Sequence, residues 1–428
     1  MFISRSSLWS NFDCVDADKT RVYLERSGSS PISLQLCWDV RLSSLDPFLQ
    51  IIPQAIGRLK SLSVDVRPEG LRAITAHLSH PAPLLERLDI YAGYRLQPQS
   101  NPVLVSTIFN GDLSSLRVLH LDCVRTELPW RNMVNLTSFA LEFSSTGNFG
   151  QLLDFFESAP RLCEIYLLFT TPVSGGGNGR LVPLDHLKKM DITACGPTSV
   201  FLNHLVIPVG AKLETGPGSD GFIIEDHIPS SIDNLKNLSS ITEIHLHLDG
   251  YPSPFVQLSG PDGQLRMMAG EINNAGLVFE SLARFDTSKT KRLKIDGSSH
   301  QYIDPPYPYH TLLPMKYLRT LVLSRCSDIP CAFMDALNPN TSPSKEVVCP
   351  SLEELVFVPG DVEEFDIQTV IEMATSRASR GAKLRYFKDR AELDPMDAVE
   401  LRKHVLRVEY GPEVDAYDDG SDCSDEED

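Results

Sequence analysis

Apolar residues along this chain recur in one short frame, apolar-x-x-apolar-x-apolar, at nearly constant intervals. The frame is read at Leu59-Leu62-Val64, Leu85-Leu88-Ile90, Leu116-Leu119-Leu121, Leu136-Phe139-Leu141, Leu162-Ile165-Leu167 and Leu187-Met190-Ile192, a mean pitch of about 26 residues. It returns at Ile241-Ile244-Leu246, Thr290-Leu293-Ile295, Leu318-Leu321-Leu323, Leu352-Leu355-Phe357 and, weakly, Leu384-Phe387. Three copies share a leading proline: Pro83 before Leu84-Leu85, Pro160 before Arg161-Leu162 and Pro350 before Ser351-Leu352. The last two apolar positions are two apart, which puts them on one side of an extended strand. Segments of helical periodicity lie between the strands, at 68–78, 151–156 and 366–373.

A strand and a crossover helix repeated at this pitch stack into a parallel ladder, because no single unit buries its own apolar face. The expected fold is therefore α/β: a curved leucine-rich-repeat-like solenoid, with the strand ladder on the concave face and helices on the convex face. Two stretches interrupt the repeat. Residues 171–180, Thr-Pro-Val-Ser-Gly-Gly-Gly-Asn-Gly-Arg, read as an exposed loop, and 206–231 is rich in Gly and Pro. The interval from Ile241 to Thr290 spans nearly two pitches and reads as an insertion or a degraded repeat with a helix near 272–285. The Pro-rich 302–314 and the segment 338–344 read as further surface loops.

At the front, Ser7-Leu8-Trp9-Ser10-Asn11-Phe12 precedes a helix-like stretch at 16–26, which Gly28 is placed to end, and then a strand pattern at 31–36. This stretch resembles the segment that joins the F-box to the repeats in the large fungal family of F-box proteins with leucine-rich-repeat-like domains. The later units look like theirs too, as does the closing helix-to-strand run 401–410. The resemblance implies 1–12 as the remnant of a last F-box helix ahead of 13–410 as the repeat solenoid, and the acidic 411–428 reads from its composition as a disordered tail. The resemblance also implies a substrate-recognition role in an F-box ubiquitin ligase. Met1 falls inside that helix, so the surface that docks a Skp-type adaptor is expected to be truncated. The alternative is a repeat scaffold with no ubiquitin role.

Composition narrows this reading. The chain has 428 residues, with 39 Lys and Arg against 57 Asp and Glu, for a net charge of −18. Nine of those acidic residues, and no basic one, lie in 411–428, a composition that cannot collapse on itself. No basic stripe follows the repeats, which argues against nucleic acid as a partner. No apolar run approaches the roughly 20 residues of a membrane span, and no secretory signal is read at the start. The nine cysteines are scattered without a CxxC pair, as in a reducing cytoplasmic or nuclear setting. The glycosylation triplets at Asn135, Asn237 and Asn340 then read as coincidental.

The search for chemistry yields no catalytic constellation and no cofactor fingerprint. Gly216-Pro217-Gly218-Ser219-Asp220-Gly221 spells GxGxxG, but it has Pro217 inside the turn and a strand pattern after it, and a dinucleotide site needs a helix there. His245 and His247 share one face of a strand, as two ligands do in some metal hydrolases, but the sequence names no further ligand; a metal-dependent hydrolase is a remote alternative. What remains is the exposed face of the ladder. Its expected residues include Asp65, Asp89, Tyr91, His120, Asp122, Glu142, Tyr166 and Asp191, then His245, His247, Asp249, Lys294 and Asp296. Carboxylates interleaved with tyrosines suit a basic protein segment as partner. In the tail, Ser421 and Ser424 sit in the acidic context that acidophilic kinases prefer.

Overall fold

A computed structural model describes residues 6–13, 17–37, 46–93, 103–104, 108–126, 132–145, 149–170, 179–193, 195, 198–216, 227–248, 253–268, 275–297, 306–325, 329–343, 345–358, 366–389 and 393–411. Asp249, Ser421, Ser424, nearly all of the acidic tail and most of the GxGxxG stretch lie outside these residues. The chain divides into two compact units, Met1–Ser240 with Ser259–Glu271, and Ile241–Leu258 with Ile272–Asp428.

The apolar frame becomes strand wherever it was read. Among the described residues, the main ladder begins with β1 (Asn11–Asp13), β2 (Ile32–Cys37), β3 (Leu59–Val66), β4 (Arg87–Ala92), β5 (Val118–Asp122), β6 (Ser138–Glu142), β7 (Glu164–Leu168), β8 (Lys189–Thr193) and β9 (Lys212–Gly216), leaving aside four two-residue strands that pair in two small sheets of their own. Each pairs in parallel with the next. The chain then forms β10 (Glu243–His247), β11 (Phe255–Gly260) and β12 (Gly263–Met268). β12 lies parallel to β9 and extends the ladder of the first unit. The second unit continues with β13 (Arg292–Asp296), β14 (Thr320–Ser324), β15 (Glu354–Val358), β16 (Tyr386–Asp389) and β17 (Arg407–Tyr410). There β10 pairs in parallel with β13, and β13 to β17 pair successively.

Among the described residues ten α-helices accompany these strands: α1 (Ala17–Ser27), α2 (Asp46–Ala55), α3 (Pro68–His77), α4 (Phe149–Ser158), α5 (Ser199–Leu202), α6 (Ala275–Leu282), α7 (Pro306–Leu312), α8 (Ile329–Leu337), α9 (Ile367–Ser379) and α10 (Pro395–His404). This is an α/β fold with parallel ladders. In both units the frame's apolar positions make the core: Leu59, Leu62, Val64, Leu116, Leu119 and Leu121 are fully enclosed, as are Leu293, Ile295, Leu318 and Leu321. Helix α4 covers this side of β6, with the rings of Phe139 and Phe155 at 4.5 Å.

The backbone repeats as faithfully as the side chains. A tight turn precedes many strands, in which the first apolar residue of the frame donates its N–H three residues back, as from Leu85 to Ala82, Leu116 to Leu113, Leu162 to Ala159 and Leu318 to Met315. The residue just past the strand then swings into the left-handed region: Gly93, Cys123, Phe143, Phe169 and Arg325 have φ of 109°, 55°, 44°, 50° and 52°. One position further, a short polar side chain ties the bend. Ser144 donates to the carbonyls of Leu121 and Glu142, Thr170 to those of Leu141 and Leu168, and Cys195 to those of Leu167 and Thr193. Carbonyls that leave the ladder at its end thus find partners indoors, where unpaired ones would be costly.

Three regions differ from expectation. β9 and β12 carry no full frame: Gly210 and Asp262 stand where the first apolar residue would be, although Leu213, Leu265 and Met267 still enter the core. β12 starts at Gly263, whose φ is +139° and whose added Cβ would lie 2.4 Å from the Ala211 carbonyl oxygen, so only glycine fits. Second, part of the Pro-rich 302–314 is helix α7. Pro306 and Pro308 occupy its first turn, where N–H groups have no helical partner to lose. Third, the turn at 338–343 is only partly at the surface: Asn338 and Ser342 are buried, while Asn340, Thr341 and Pro343 are exposed and Thr341 donates to the Asp335 carbonyl. Asn237 of the glycosylation triplets is also fully enclosed, donating to the Ala211 and Gln264 carbonyls.

Candidate functional site

Strand alternation that buries Leu88, Ile90, Leu119 and Leu121 turns the intervening residues to the other face of the ladder. Parallel register lines them up in rows. One row of the first unit runs Ser63, Asp89, His120, Ala140, Tyr166 and Asp191, and the next runs Asp65, Tyr91, Asp122 and Glu142. The sequence-derived face is thus a real alignment of side chains in this unit. Its residues are more interlocked than a solvated face would be. Tyr91 Oη and His120 Nδ1 are 2.8 Å apart, and His120 Nε2 lies 3.2 Å from Glu142 Oε1, an ion-pair distance without a hydrogen bond.

Asp89 and Asp122 are nearly covered, at 4% and 8% exposure, where free solvation was expected. Neighbouring side chains supply the cover. Arg87 Nε donates to Asp89 Oδ2 at 2.7 Å, and Asp122 is flanked in its row by Tyr91 and Glu142. Each of these aspartates keeps one buried oxygen, Oδ1, without a hydrogen-bond donor. The Arg87 guanidinium is raised chiefly by its bond to Asp89, while burial, aided by the Asp89 charge, raises the Tyr91 phenol.

Beside this cluster, small Ala140 leaves an open cleft of about 510 Å³. His120, Glu142 and Tyr166 line it, together with Arg87, Ser138 and Glu164 from the row at the strand starts. Ser138 Oγ donates to Glu164 Oε2 at 3.3 Å, and Lys189 Nζ sits 5.0 Å from the centre of the Tyr166 ring. The cleft therefore offers two carboxylates and an aromatic face within one concavity. Reading only the residues between and after the inner apolar pair misses Arg87 and Glu164, which precede it. At the ends of β6 and β7, Phe143 and Phe169 stack at 4.5 Å with an interplanar angle of 6°.

In the second unit, His245 and His247 of β10 share a face as their spacing requires, and register puts Lys294 and Asp296 of β13 directly opposite them. Asp296 Oδ2 is the hub. His245 Nε2 lies 2.5 Å away, Lys294 Nζ 2.8 Å and His247 Nδ1 3.9 Å. From β11, the Phe255 ring covers both imidazoles, edge-on to His245 at 4.9 Å and stacked on His247 at 5.2 Å. Burial works against charge on Asp296, but hydrogen bonds from His245, Lys294 and Ser324 and the ammonium of Lys294 outweigh it, holding the carboxylate well below its usual range. Nothing periodic marks Phe255 in the sequence, and the His–Asp pairing spans 51 residues.

No family model matches this chain, and no curated protein matches it.

Proposed function

We propose that the chain is a non-enzymatic protein-interaction module, a leucine-rich-repeat-like solenoid whose ladder face in the first unit binds a basic segment of a partner protein. The observation that carries this reading is the open cleft that Glu142, Glu164 and Tyr166 line together. A lysine or arginine side chain entering it meets both carboxylates, and it shares the Tyr166 ring with Lys189 or displaces it. The repeat reading is supported by the pitch of the apolar frame, the parallel register and the polar residues Ser144, Thr170 and Cys195 three places after the last inner apolar residue, the position that asparagine or cysteine takes in leucine-rich repeats.

The test uses octalysine and a neutral octapeptide of similar length, titrated against the full chain by fluorescence anisotropy. Octalysine should bind, the neutral peptide should not, and affinity should fall as salt rises. Changing Glu142→Gln and Glu164→Gln together should weaken binding about tenfold. Equal affinity in that variant would refute the cleft as the binding place.

The F-box resemblance of residues 7–36 assigns the module to substrate recognition in a ubiquitin ligase. In its support, that stretch forms a packed unit: Trp9 and Tyr23 meet at 5.2 Å, and Arg26 stacks over Trp9 at 4.5 Å. Co-purification with a Skp-type adaptor tests this assignment. Association would support it; failure is the outcome expected both of a truncated docking surface and of the scaffold reading.

A further inference from the structure

We propose that His245, His247 and Asp296 form a binding site for one divalent transition-metal ion, in the class of zinc. Their ligand atoms all lie within 4.8 Å of one another. Bonds of about 2.0–2.2 Å to nitrogen and oxygen set donor atoms roughly 3–3.5 Å apart around one ion. The present separations of 2.5 and 3.9 Å from Asp296 Oδ2 bracket that range, so the two imidazole–carboxylate distances each need to change by about 1 Å or less. Two imidazoles and a carboxylate are the donors that zinc and its neighbours favour over calcium or magnesium.

The surroundings fit an ion better than they fit a simple solvated face. Both ligand strands are paired in register, so the donors are held on rigid backbone and not on a loop. Phe255 fixes the imidazole planes from outside, and Ser324 supplies a hydrogen bond to the carboxylate, the second layer of support that metal sites use. The position an ion would take is closed now by the hydrogen bond between His245 and Asp296 and by the ammonium of Lys294 on the same oxygen. Lys294 is about a third exposed and has a flexible stem, so it can withdraw to solvent when an ion arrives. Binding releases any proton carried by the imidazoles and leaves the remaining coordination positions to water.

Competition with Lys294 gives the proposal a signature that a fortuitous cluster would lack. The experiment uses the full chain with any histidine tag removed, titrated calorimetrically with zinc and then spectroscopically with cobalt. One zinc per chain should bind with a dissociation constant in the micromolar range or tighter, and cobalt should give d–d absorption without a thiolate charge-transfer band. His247→Ala and Asp296→Asn should each weaken zinc by about tenfold or more. Lys294→Met should tighten it several-fold, and this variant keeps the test decisive even if loss of Asp296 unfolds the unit. Unchanged affinity in His247→Ala and Lys294→Met, a thiolate band in the cobalt spectrum, or no zinc uptake would overturn the site.

Discussion

Among the described residues, Arg377 of α9 is the largest side chain that is fully enclosed. Its fork replaces water with three carbonyls, donating to Val348 at 2.7 Å, Cys349 at 2.8 Å and Leu337 at 3.4 Å. Burial draws the guanidinium down to about 10, which still leaves it charged at neutral pH. Lysine cannot span three acceptors in one plane. Arg377→Met should cost about 2–4 kcal/mol by stranding those carbonyls, and Arg377→Lys should recover only part of that, read as urea midpoints. The buried thiols give a pH prediction with a defined sign. Burial pushes Cys195 and Cys349 up to about 12 from an ordinary 9.0, so each folded thiol stays neutral where its unfolded counterpart ionises. A neutral form favoured by folding means stability unchanged below pH 9 and lost as pH climbs from 9 toward 12. Melting temperatures should fall over that window, and less steeply in Cys195→Ala. A slope identical in parent and variant would refute this account. Exposed Cys37 should meanwhile react with thiol reagents well before either.

At the scale of the element, the repeat's exit bend is the part most open to test. Thr170 is buried, and its hydroxyl serves two carbonyls, so Thr170→Val should cost about 1–2 kcal/mol at nearly constant volume. Arg325 holds a left-handed φ of 52° with its side chain in solvent, and Arg325→Gly should be neutral or stabilising by up to about 1 kcal/mol. Gly263→Ala must instead displace backbone at Ala211 and should fail to fold or melt far lower. These bends also show how much the sequence discloses. The strands of the apolar frame announced themselves, because leucine in a two-residue period leaves few other readings, and so did α1, α3, α4 and α9. β1 did not, since 1–12 reads as the end of a helix and Asn11–Asp13 instead pairs with β2, nor did β11. β9 and β12 were hidden because Gly210 and Asp262 interrupt the frame at its first position, and α7 because its prolines sit in the one turn that tolerates them. The face residues were legible by alternation alone. Their partners were not: register pairs His245 with Lys294, 49 positions later, and the ring that covers it comes from β11, where no period operates.

On the scale of the whole chain, charge and topology separate two chemistries. Outside the last 18 residues the balance is 48 acidic to 39 basic, so attraction of a basic partner rests on where carboxylates are set and not on bulk charge. Those of the cleft belong to the first compact unit, and the imidazole pair with its carboxylate belongs to the second. A ligand that binds the folded form stabilises it by mass action, and the protection it confers is greatest in the elements that hold it. Zinc should therefore slow amide exchange in β10, β13 and β14, while octalysine should slow it in β5, β6 and β7. Hydrogen exchange read by mass spectrometry on the full chain distinguishes the two, since the affected peptides do not overlap. Octalysine should lose its effect in about 0.5 M salt, where charges are screened within a few ångströms, whereas coordinate bonds of zinc should survive it. Protection by octalysine that persists in high salt would mean apolar contact, with the Phe143–Phe169 stack beside the cleft as its source. Protection by zinc that appears in β5 to β7 would place its ligands at His120 and Glu142 instead, and the metal assignment in the second unit would fall.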